Sequence, residues 1–352
     1  MLVVAQAVAQ FLGFFRYIPS HRVYYNQGTI ETPRKITLIY NPYAGALQRG
    51  PKNLVERVMR ALHRDGDSNE ALPTTGPSTA AGIAAQAIER GASLILVAGG
   101  DGTINEVVNG MVHSEVPLGI LPGGTANVLA TELGIARGLE RAAGQLHDWV
   151  PERVSLGLFR SCTASAPRYF LLMAGVGLDA HIVYNLSASL KAVAGKVAYW
   201  VGGFAQLGRR FPEFDVTVDG RIIRVSFALV SRVRNYGGDL TIAPTISLLD
   251  PEFELVLFEG ANSFRYLKYI FGVVTRRLEG MRGITILRTR EVSLRCPEDS
   301  RIYIQLDGEY AGRLPADMEM VPDALTLLVP PAFRDRERVS ASQPAWTTSP
   351  TR

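Results

Sequence analysis

The chain has 352 residues, which is long enough for two domains, and its 47% hydrophobic content predicts a sizeable core rather than disorder. Its net charge of +4 is too small to indicate nucleic-acid binding, although it is compatible with an anionic ligand or an anionic membrane surface. Its two cysteines, Cys162 and Cys296, are far apart and outside any metal-ligand spacing. We therefore expect reduced thiols and a cytoplasmic protein.

The first fifteen residues, MLVVAQAVAQFLGFF, are almost entirely apolar. This run is shorter than the roughly 18 residues that a membrane-spanning helix needs, and Pro19 closes it. No basic segment precedes it, as a secretory signal would require. Residues 1–33 are thus an N-terminal extension, for which a packed apolar helix, a disordered start and an interfacial membrane anchor remain open.

Residues 34–150 alternate between strand-like and helix-like patterns. Continuous apolar strands separated by amphipathic or alanine-rich helices are typical of a parallel sheet that is covered on both faces. The predicted strands are KITLIYNP, SLILVAGG and PLGILPGG, and the predicted helices are NLVERVMRALHRDG, TAAGIAAQAIERGA, INEVVNGMVH and TANVLATELGI.

The pattern changes in residues 151–320, where short strands predict a mostly antiparallel β-rich domain. VDGR at 218–221 indicates a two-residue hairpin turn. Helical patterns interrupt the strands near 187–208 and 263–280, and both combine apolar and aromatic residues with Lys and Arg. One option for the strand near 324–330 is a return to the first domain. The polar residues 333–352 predict a flexible tail.

Three glycine-rich turns each follow a predicted strand: NPYAGA (41–46), GGDGT (99–103) and PGGTAN (122–127). In a parallel sheet they meet at the carboxyl edge, where such folds bind ligands. Glycine allows the backbone to approach a bulky anion, and the amides and dipole of the following helix attract it. Thr103 and Thr125 add hydroxyl donors. The pattern predicts a phosphate cradle assembled from three loops, different from a P-loop with its GK[ST] signature.

Taken in order, these motifs resemble a known family. GGDGTINEVVNG followed by LGILPGGTANVLATELGI looks like the catalytic domain shared by diacylglycerol kinases, sphingosine and ceramide kinases and the bacterial lipid kinases. NPYAGA, GVGLDA (175–180), YGGDLTIAP (236–244) and LDGEY (306–310) match further motifs of that family. GGDGT alone also occurs in NAD kinases and phosphofructokinases, so the specificity comes from the ordered set, which spans about residues 34–330.

The resemblance implies ATP-dependent transfer of a phosphoryl group to the hydroxyl of a diacylglycerol-like or sphingoid lipid, with ATP and Mg²⁺ as cofactors. It implies an α/β domain of the three-layer NAD kinase/phosphofructokinase type beside a β-sandwich-like second domain. The apolar and basic residues of the helical patterns near 187–208 and 263–280 indicate either peripheral membrane contact or core-facing helices with solvated charges. The sequence does not determine the oligomeric state. The family's nucleotide contacts correspond to Asn41, Gly45, Thr74, Gly100, Asp101, Gly102, Thr103, Asn105, Glu106, Gly123 and Thr125.

Two carboxylates are the catalytic candidates that the resemblance implies. Glu309 of the DGE turn corresponds to the base that takes the proton from the acceptor hydroxyl. Asp101 corresponds to a magnesium ligand, although in sphingosine kinases the equivalent residue has been treated as the base. Asp179 is either the N-cap of a helix or a contact to the lipid head group.

The sequence departs from bacterial members of the family at several metal-binding positions. Val128 and Ser155 stand where those members have aspartates, which leaves a thinner shell around the catalytic magnesium. For the family's structural magnesium, Asp250 matches the ligating aspartate, while Ser247 and Glu252 fall where backbone carbonyls contribute. Pro251 replaces the usual glycine of that loop. Arg232 replaces an asparagine upstream, with no consequence that the sequence alone assigns.

Two rival functions remain open. An NAD kinase-like enzyme shares GGDGT and a sandwich domain, but it would lack LPGGTANVLA and LDGE at these places. A catalytically weak nucleotide-binding protein at the membrane is favoured by Val128 and Ser155 and disfavoured by Asp101 and Glu309. Phosphorylation of a lipid panel, with NAD as the competing acceptor, distinguishes these functions.

Overall fold

The structure is a computed structural model, and it describes residues 34–64, 67–177, 210–236, 240–275, 277–297 and 300–342. The chain divides into two units, Met1–Thr32 and Pro33–Arg352, and the second contains every element below. The predictions for residues 1–33, for Asp179 and for the helix near 187–208 lie outside the described residues.

The first half of this unit is a parallel sheet with strand order β2-β1-β3-β4. All six residues of the strand LILVAG are buried, because helices cover both faces of the sheet. The strands are β1 (Lys35–Tyr40), β2 (Ser68–Pro73), β3 (Leu94–Gly99) and β4 (Leu118–Pro122). The helices are α1 (Gly45–Arg49), α2 (Leu54–Leu62), α3 (Ala80–Glu89), α4 (Asp101–Met111), α5 (Val128–Leu133) and α6 (Leu139–Gln145).

The second half consists mainly of antiparallel strands. They begin with β5 (Val150–Ser161), β6 (Arg168–Phe170), β7 (Met173–Gly177), β8 (Phe214–Val218), β9 (Arg221–Val225), β10 (Phe227–Ser231), β11 (Asn235–Tyr236) and β12 (Leu240–Thr241). They continue with β13 (Phe253–Phe258), β14 (Ile284–Thr289), β15 (Glu291–Arg295), β16 (Tyr303–Leu306), β17 (Glu309–Arg313) and β18 (Ala316–Val329). The helices are α7 (Ser263–Val274) and α8 (Pro331–Ser342).

Two sheets form the β-sandwich. One has the order β14-β13-β10-β7-β16-β17, and the other continues the first-half sheet through β18, β15, β8 and β9. The predicted hairpin turn joins β8 to β9, with Asp219 and Gly220 at φ 49° and 75°, as a type I′ turn requires. Buried Phe and Val side chains fill the space between the sheets, among them Phe159, Phe214 and Phe253. The α/β fold with a second, antiparallel β-sandwich domain is therefore confirmed.

Strand β18 connects the two halves. It pairs along its length with β5, and the pairing shifts between Val321 and Leu325. Its first part also pairs with β15 in the sandwich, whereas Leu327 is paired in parallel with Leu118 of β4. The sequence 324–330 therefore lies beside the strands of the first half, and one continuous sheet spans both halves.

The chain after β18 differs from the predicted flexible tail, because residues 331–342 form α8. Two residues of this polar segment are buried against the rest of the protein, Phe333 at 1% exposure and Glu337 at 3%, and the polar pattern gave no sign of either. Among the described residues, no helix is long and apolar enough to span a membrane.

Candidate active site

The three glycine-rich loops lie together at the carboxyl edge of the parallel sheet. The amide of Ala46 donates to the carbonyl of Gly123 at 3.0 Å, which joins the first loop to the third. The amide of Gly123 donates to the carbonyl of Gly99 at 2.9 Å, which joins the third to the second. Nδ2 of Asn41 donates to Oγ1 of Thr103 at 3.3 Å. Three loops that are distant in sequence thus form one backbone surface, with Gly45 at the start of α1 and Thr125 exposed beside it.

Two glycines of this surface approach too closely for side chains. A Cβ added to Gly124 would lie 2.5 Å from Cα of Gly100, and one added to Gly100 would lie 3.4 Å from Cα of Gly124. Asn127, at φ 47°, closes the same turn with hydrogen bonds to both backbone groups of Gly124. The glycines therefore allow the second and third loops to touch, which leaves the amides at the start of α4 and α5 beside each other.

Asp101 is the first residue of α4, and its carboxylate lies at the beginning of the neighbouring helix α5. Its two oxygens accept hydrogen bonds from the amides of Val128 at 3.1 Å and Leu129 at 3.2 Å. Burial raises the pKa of Asp101, and these amide hydrogen bonds oppose that rise. Asp101 therefore fixes the start of α5 against α4, and each of its oxygens retains lone pairs for a further partner.

Helix α4 is also attached to the second half of the chain, one turn after Asp101. Nδ2 of Asn105 donates to the carboxylate of Asp307 at 2.6 Å and to the carbonyl of Tyr169 at 3.1 Å. Asp307 also accepts hydrogen bonds from the amides of residues 171–173 at 2.8–2.9 Å. Burial raises the pKa of Asp307 to about 6, although these donors act in the opposite direction. Asp307 is therefore a buried junction between the GGDGT helix and the β-sandwich.

Glu106 and Thr74, two of the predicted nucleotide contacts, make hydrogen bonds within the protein. The carboxylate of Glu106 accepts hydrogen bonds from the amides of Ser78 at 2.8 Å and Ala80 at 3.1 Å, which satisfies amides at the start of α3. Thr74 is buried after β2, and its amide donates to the carbonyl of Tyr40 at 2.8 Å. In this arrangement Glu106 orders a neighbouring helix, and Asn105 holds the second half of the chain.

Glu309 begins β17 and reaches back to the GGDGT turn. A Cβ added to Gly102 would lie 3.2 Å from Cδ of Glu309, and even closer to its Oε1. The other carboxylate oxygen lies 3.7 Å from Nη2 of Arg168, and the Glu309 side chain is 47% exposed. The Asp307–Gly308 turn between β16 and β17 has positive φ at both residues, 48° and 86°. The turn therefore directs an accessible carboxylate onto the start of α4.

In the loop predicted to hold a structural magnesium, both carboxylates lie beside arginines. Oδ2 of Asp250 lies 3.1 Å from Nη1 of Arg288 and accepts the amide of Ser247 at 2.9 Å. The carbonyl of Ser247 accepts the amide of Asp250 at 2.9 Å, and the Glu252 carboxylate lies 3.7 Å from Nε of Arg290. A guanidinium thus faces one oxygen of each carboxylate. Within the described residues, three acidic, His or Cys side chains nowhere cluster as metal ligands.

Arg232, whose role the sequence left unassigned, contributes to the same loop. It is fully buried, and its guanidinium donates to the carbonyls of Leu171 at 3.2 Å and Leu248 at 2.9 Å. Burial lowers the pKa of Arg232 to about 10, while Asp307 and Asp250 oppose that change. One cation therefore connects the loop at 245–252 to the backbone segment that Asp307 binds.

The sequence interpretation also missed Asp307 and Arg168, which orient the motif helix and Glu309. Asp307 stands inside the quoted LDGEY motif, and its Asp-Gly pair was a signal for a tight turn. Arg168 stands in an unremarkable polar stretch, and its partner is 141 positions away in the numbering. Only the folded chain brings it to Glu309.

Two family models match the two halves of the chain that the structure shows. The family described as the diacylglycerol kinase catalytic domain matches residues 35–159, and the YegS C-terminal NAD kinase β-sandwich-like domain matches residues 173–329. The diacylglycerol kinase of Bacillus subtilis (strain 168) is 30% identical over 292 residues, which are 81% of this chain and 92% of that protein. The diacylglycerol kinase of Mycobacterium tuberculosis (strain ATCC 25618 / H37Rv) is 26% identical over 301 residues, 84% of this chain and 95% of that protein.

Solved structures show the same fold. A crystal structure of a diacylglycerol kinase from Bacillus anthracis str. Sterne superposes with a TM-score of 0.68 at 22% identity, covering 85% of this chain and 98% of that chain. Kinase-type domains of this kind use a nucleotide. From the two matched domains and the curated relatives, the chain belongs to the diacylglycerol kinase catalytic-domain family and is an enzyme of the lipid kinase type.

Proposed function

We propose that the protein is an ATP-dependent kinase that transfers the γ-phosphoryl group to a hydroxyl of diacylglycerol or of a similar lipid. The observation that carries the proposal is the position of Glu309. Its carboxylate lies against Gly102, at the start of the helix whose amides and glycine loops form the predicted phosphate cradle. Diacylglycerol is the first choice of acceptor because the curated relatives carry the name diacylglycerol kinase.

ATP is the proposed donor, and its phosphates would lie on the joined loops. The amides at the start of α4 and the glycines at 100 and 124 offer a surface without side chains, which suits a polyphosphate. Asn41 and Thr103 supply polar groups at the same edge. Asp101 offers carboxylate oxygens, the ligands that Mg²⁺ prefers, and a magnesium ion that arrives with ATP would retain phosphate and water ligands. That ion would neutralise phosphate charge.

Glu309 is the proposed general base. It would accept the proton of the lipid hydroxyl while the hydroxyl oxygen forms its bond to the γ-phosphorus and the bond to the β-phosphate oxygen breaks, which releases ADP. Nη2 of Arg168 lies 3.7 Å from this carboxylate and is the cation beside the proposed base. The side chain is 47% exposed, so a hydroxyl at the surface of the cleft can reach it.

We also propose peripheral membrane contact through one face of α7. Tyr269 and Val273 are buried toward the sandwich, whereas Arg265, Lys268 and Phe271 are exposed, the last at 66%. An exposed aromatic ring between basic side chains suits the interface of an anionic bilayer. Phe271→Ser should reduce cosedimentation with vesicles of phosphatidylcholine and phosphatidylglycerol.

Ile222 is the matched control for this face, because it is 71% exposed on β9 and flanked by the exposed Arg221 and Arg224. Ile222→Ser should leave vesicle binding unchanged. Equal losses in both variants would count against a specific role for α7. Binding that is insensitive to the phosphatidylglycerol content would remove the electrostatic part of the proposal.

The catalytic proposal is tested by incubating the purified protein with radiolabelled ATP and a panel of diacylglycerol, sphingosine, ceramide, phosphatidylglycerol and monoacylglycerol. Diacylglycerol should be labelled. Labelling of NAD without any lipid would support an NAD kinase-like enzyme instead, and ATP binding without turnover of any acceptor would support a catalytically weak nucleotide-binding protein. Glu309→Gln should abolish turnover and retain ATP binding, whereas unchanged turnover would remove Glu309 from the role of base.

A further inference from the structure

Helix α8, the last helix of the described chain, is joined by an ionic network to α5, the helix that follows the PGGTAN loop. The guanidinium of Arg234 donates to both carboxylate oxygens of Glu337 on α8, at 2.8 and 2.6 Å. Its Nη1 also lies 3.8 Å from the carboxylate of Glu132 on α5. Nδ2 of Asn235 donates to the other oxygen of Glu132 at 2.9 Å. Three separate segments, α5, β11 with the residue before it, and α8, therefore meet at two carboxylates.

A second arginine closes this network. Arg336 on α8 donates through Nε to Oε1 of Glu337 at 2.9 Å and through Nη2 to the backbone carbonyl of Glu132 at 2.9 Å. The latter contact is at the C-terminal end of α5, where a cation also opposes the negative end of the helix dipole. Helix α8 is therefore linked to both the side chain and the backbone of Glu132 on α5, through Arg234 in the first case and Arg336 in the second.

Both carboxylates of the network are buried, and each lies beside Arg234. The side chains of Glu132 and Glu337 are each 2% exposed, and that of Arg234 is 23% exposed. Burial by itself would raise the pKa of Glu337, but the hydrogen bonds from Arg234, Arg336 and Ser247 bring it to about 2. A buried pair of this kind is costly to break, because the remaining partner is left charged and without water.

Helix α5 is the element through which this network reaches the site. The helix is only six residues long, and its first two amides are those that hold the Asp101 carboxylate. Glu132 is the fifth of its residues, so the network and Asp101 hold opposite ends of one short, rigid segment. A shift of its C-terminal end would move the amides at its beginning, and Asp101 and the loop containing Gly124 with them.

We infer that Arg234 and Glu337 are positioning residues, which hold α5 so that Asp101 and the PGGTAN loop keep their places in the nucleotide site. This inference rests on the proposed use of ATP. Glu337 lies beyond the residues that either family match covers, which end at 329. The C-terminal helix thus supplies a part of the nucleotide site without touching the nucleotide, and truncation before α8 removes it.

Glu337→Gln tests this role, with ATP binding measured by isothermal titration calorimetry in the absence of lipid. The Kd for ATP should rise about tenfold, within the range reported for mutations that act through a network. The KM for the lipid acceptor should change less than twofold.

Glu319→Gln is the matched control, because Glu319 makes an equally short ion pair, 2.6 Å to Arg160, at an exposed position near the start of β18. It should leave the Kd for ATP unchanged. An unchanged Kd in folded Glu337→Gln would overturn the inference. If that variant fails to fold, Arg234→Lys, which keeps the charge but loses the bidentate contact, should still weaken ATP binding, and unaltered binding there would equally overturn it. Failure of the wild type to bind ATP would instead refute the proposed function.

Discussion

Replacement of Gly102 by alanine tests whether Glu309 works from the position in which the fold places it. The added Cβ would lie 3.2 Å from Cδ of Glu309 and closer to Oε1, so the carboxylate must move away by roughly 1 Å to restore ordinary contacts of about 3.5 Å. Displacement of a catalytic group by about 1 Å costs on the order of 100-fold in rate. The same change should not harm folding, because alanine in a helix is favoured over glycine by roughly 0.5–1 kcal/mol.

The assay is lipid phosphorylation under saturating ATP, with the melting temperature and the Kd for ATP measured in parallel. We expect kcat to fall on the order of 100-fold, as for a misplaced base, while stability and ATP affinity are retained. Gly82→Ala is the control, because Gly82 lies within helix α3 and its added Cβ would meet nothing within 4 Å. Full activity of Gly102→Ala would refute the reasoning, since the displaced carboxylate would then be dispensable. A loss of ATP binding would show instead that the clash distorts the phosphate loop.

Three further predictions follow from the charged interior. Asp307→Asn should lower the free energy of unfolding by about 3–5 kcal/mol in urea titrations, because an amide cannot accept from all four surrounding N–H donors, whereas a loss below about 1 kcal/mol would contradict this role. Glu337 has a folded pKa of about 2 against an ordinary 4.5, so its stabilising contribution is complete above pH 4.5 and is lost as the pH falls toward 2. Glu337→Gln should therefore flatten the decline in melting temperature over that interval. A chelator should leave the melting temperature of the nucleotide-free protein unchanged, whereas Arg288→Gln should lower it, because Arg288 already neutralises Asp250.

The strands and loops of the first half could be predicted because local sequence determines them. The run LILVAG is apolar at every position, and a strand covered on both faces needs that composition. By contrast β2, with the sequence SNEALP, was missed because it is an edge strand with partly exposed residues and follows neither an apolar nor an alternating pattern. The hairpin at Asp219-Gly220 was predicted because its two residues favour positive φ.

The ionic interior could not be predicted, because it depends on residues that are far apart in the chain. Asn105 and Asp307 are separated by 202 positions, and Arg234 and Glu337 by 103. Each of these side chains, taken alone, resembles a solvated surface group, which is the usual place for such residues. Helix α8 was missed for the same reason, since its charged pattern indicates exposure until the buried partner of Glu337 is known.

The contacts of the GGDGT helix indicate a structural role for this motif in addition to its proposed role in nucleotide binding. In the first turn of its helix, Asp101 binds the start of α5 and Gly102 lies against Glu309. Asn105, one turn after Asp101 and therefore on the same side of the helix, is bonded to Asp307. Asp307 is two residues before Glu309 and starts the turn that directs it. The Asn105–Asp307 hydrogen bond therefore helps to set the distance between the predicted phosphate cradle and the proposed base. The GGDGT helix and the DGE turn thus keep a fixed position relative to each other.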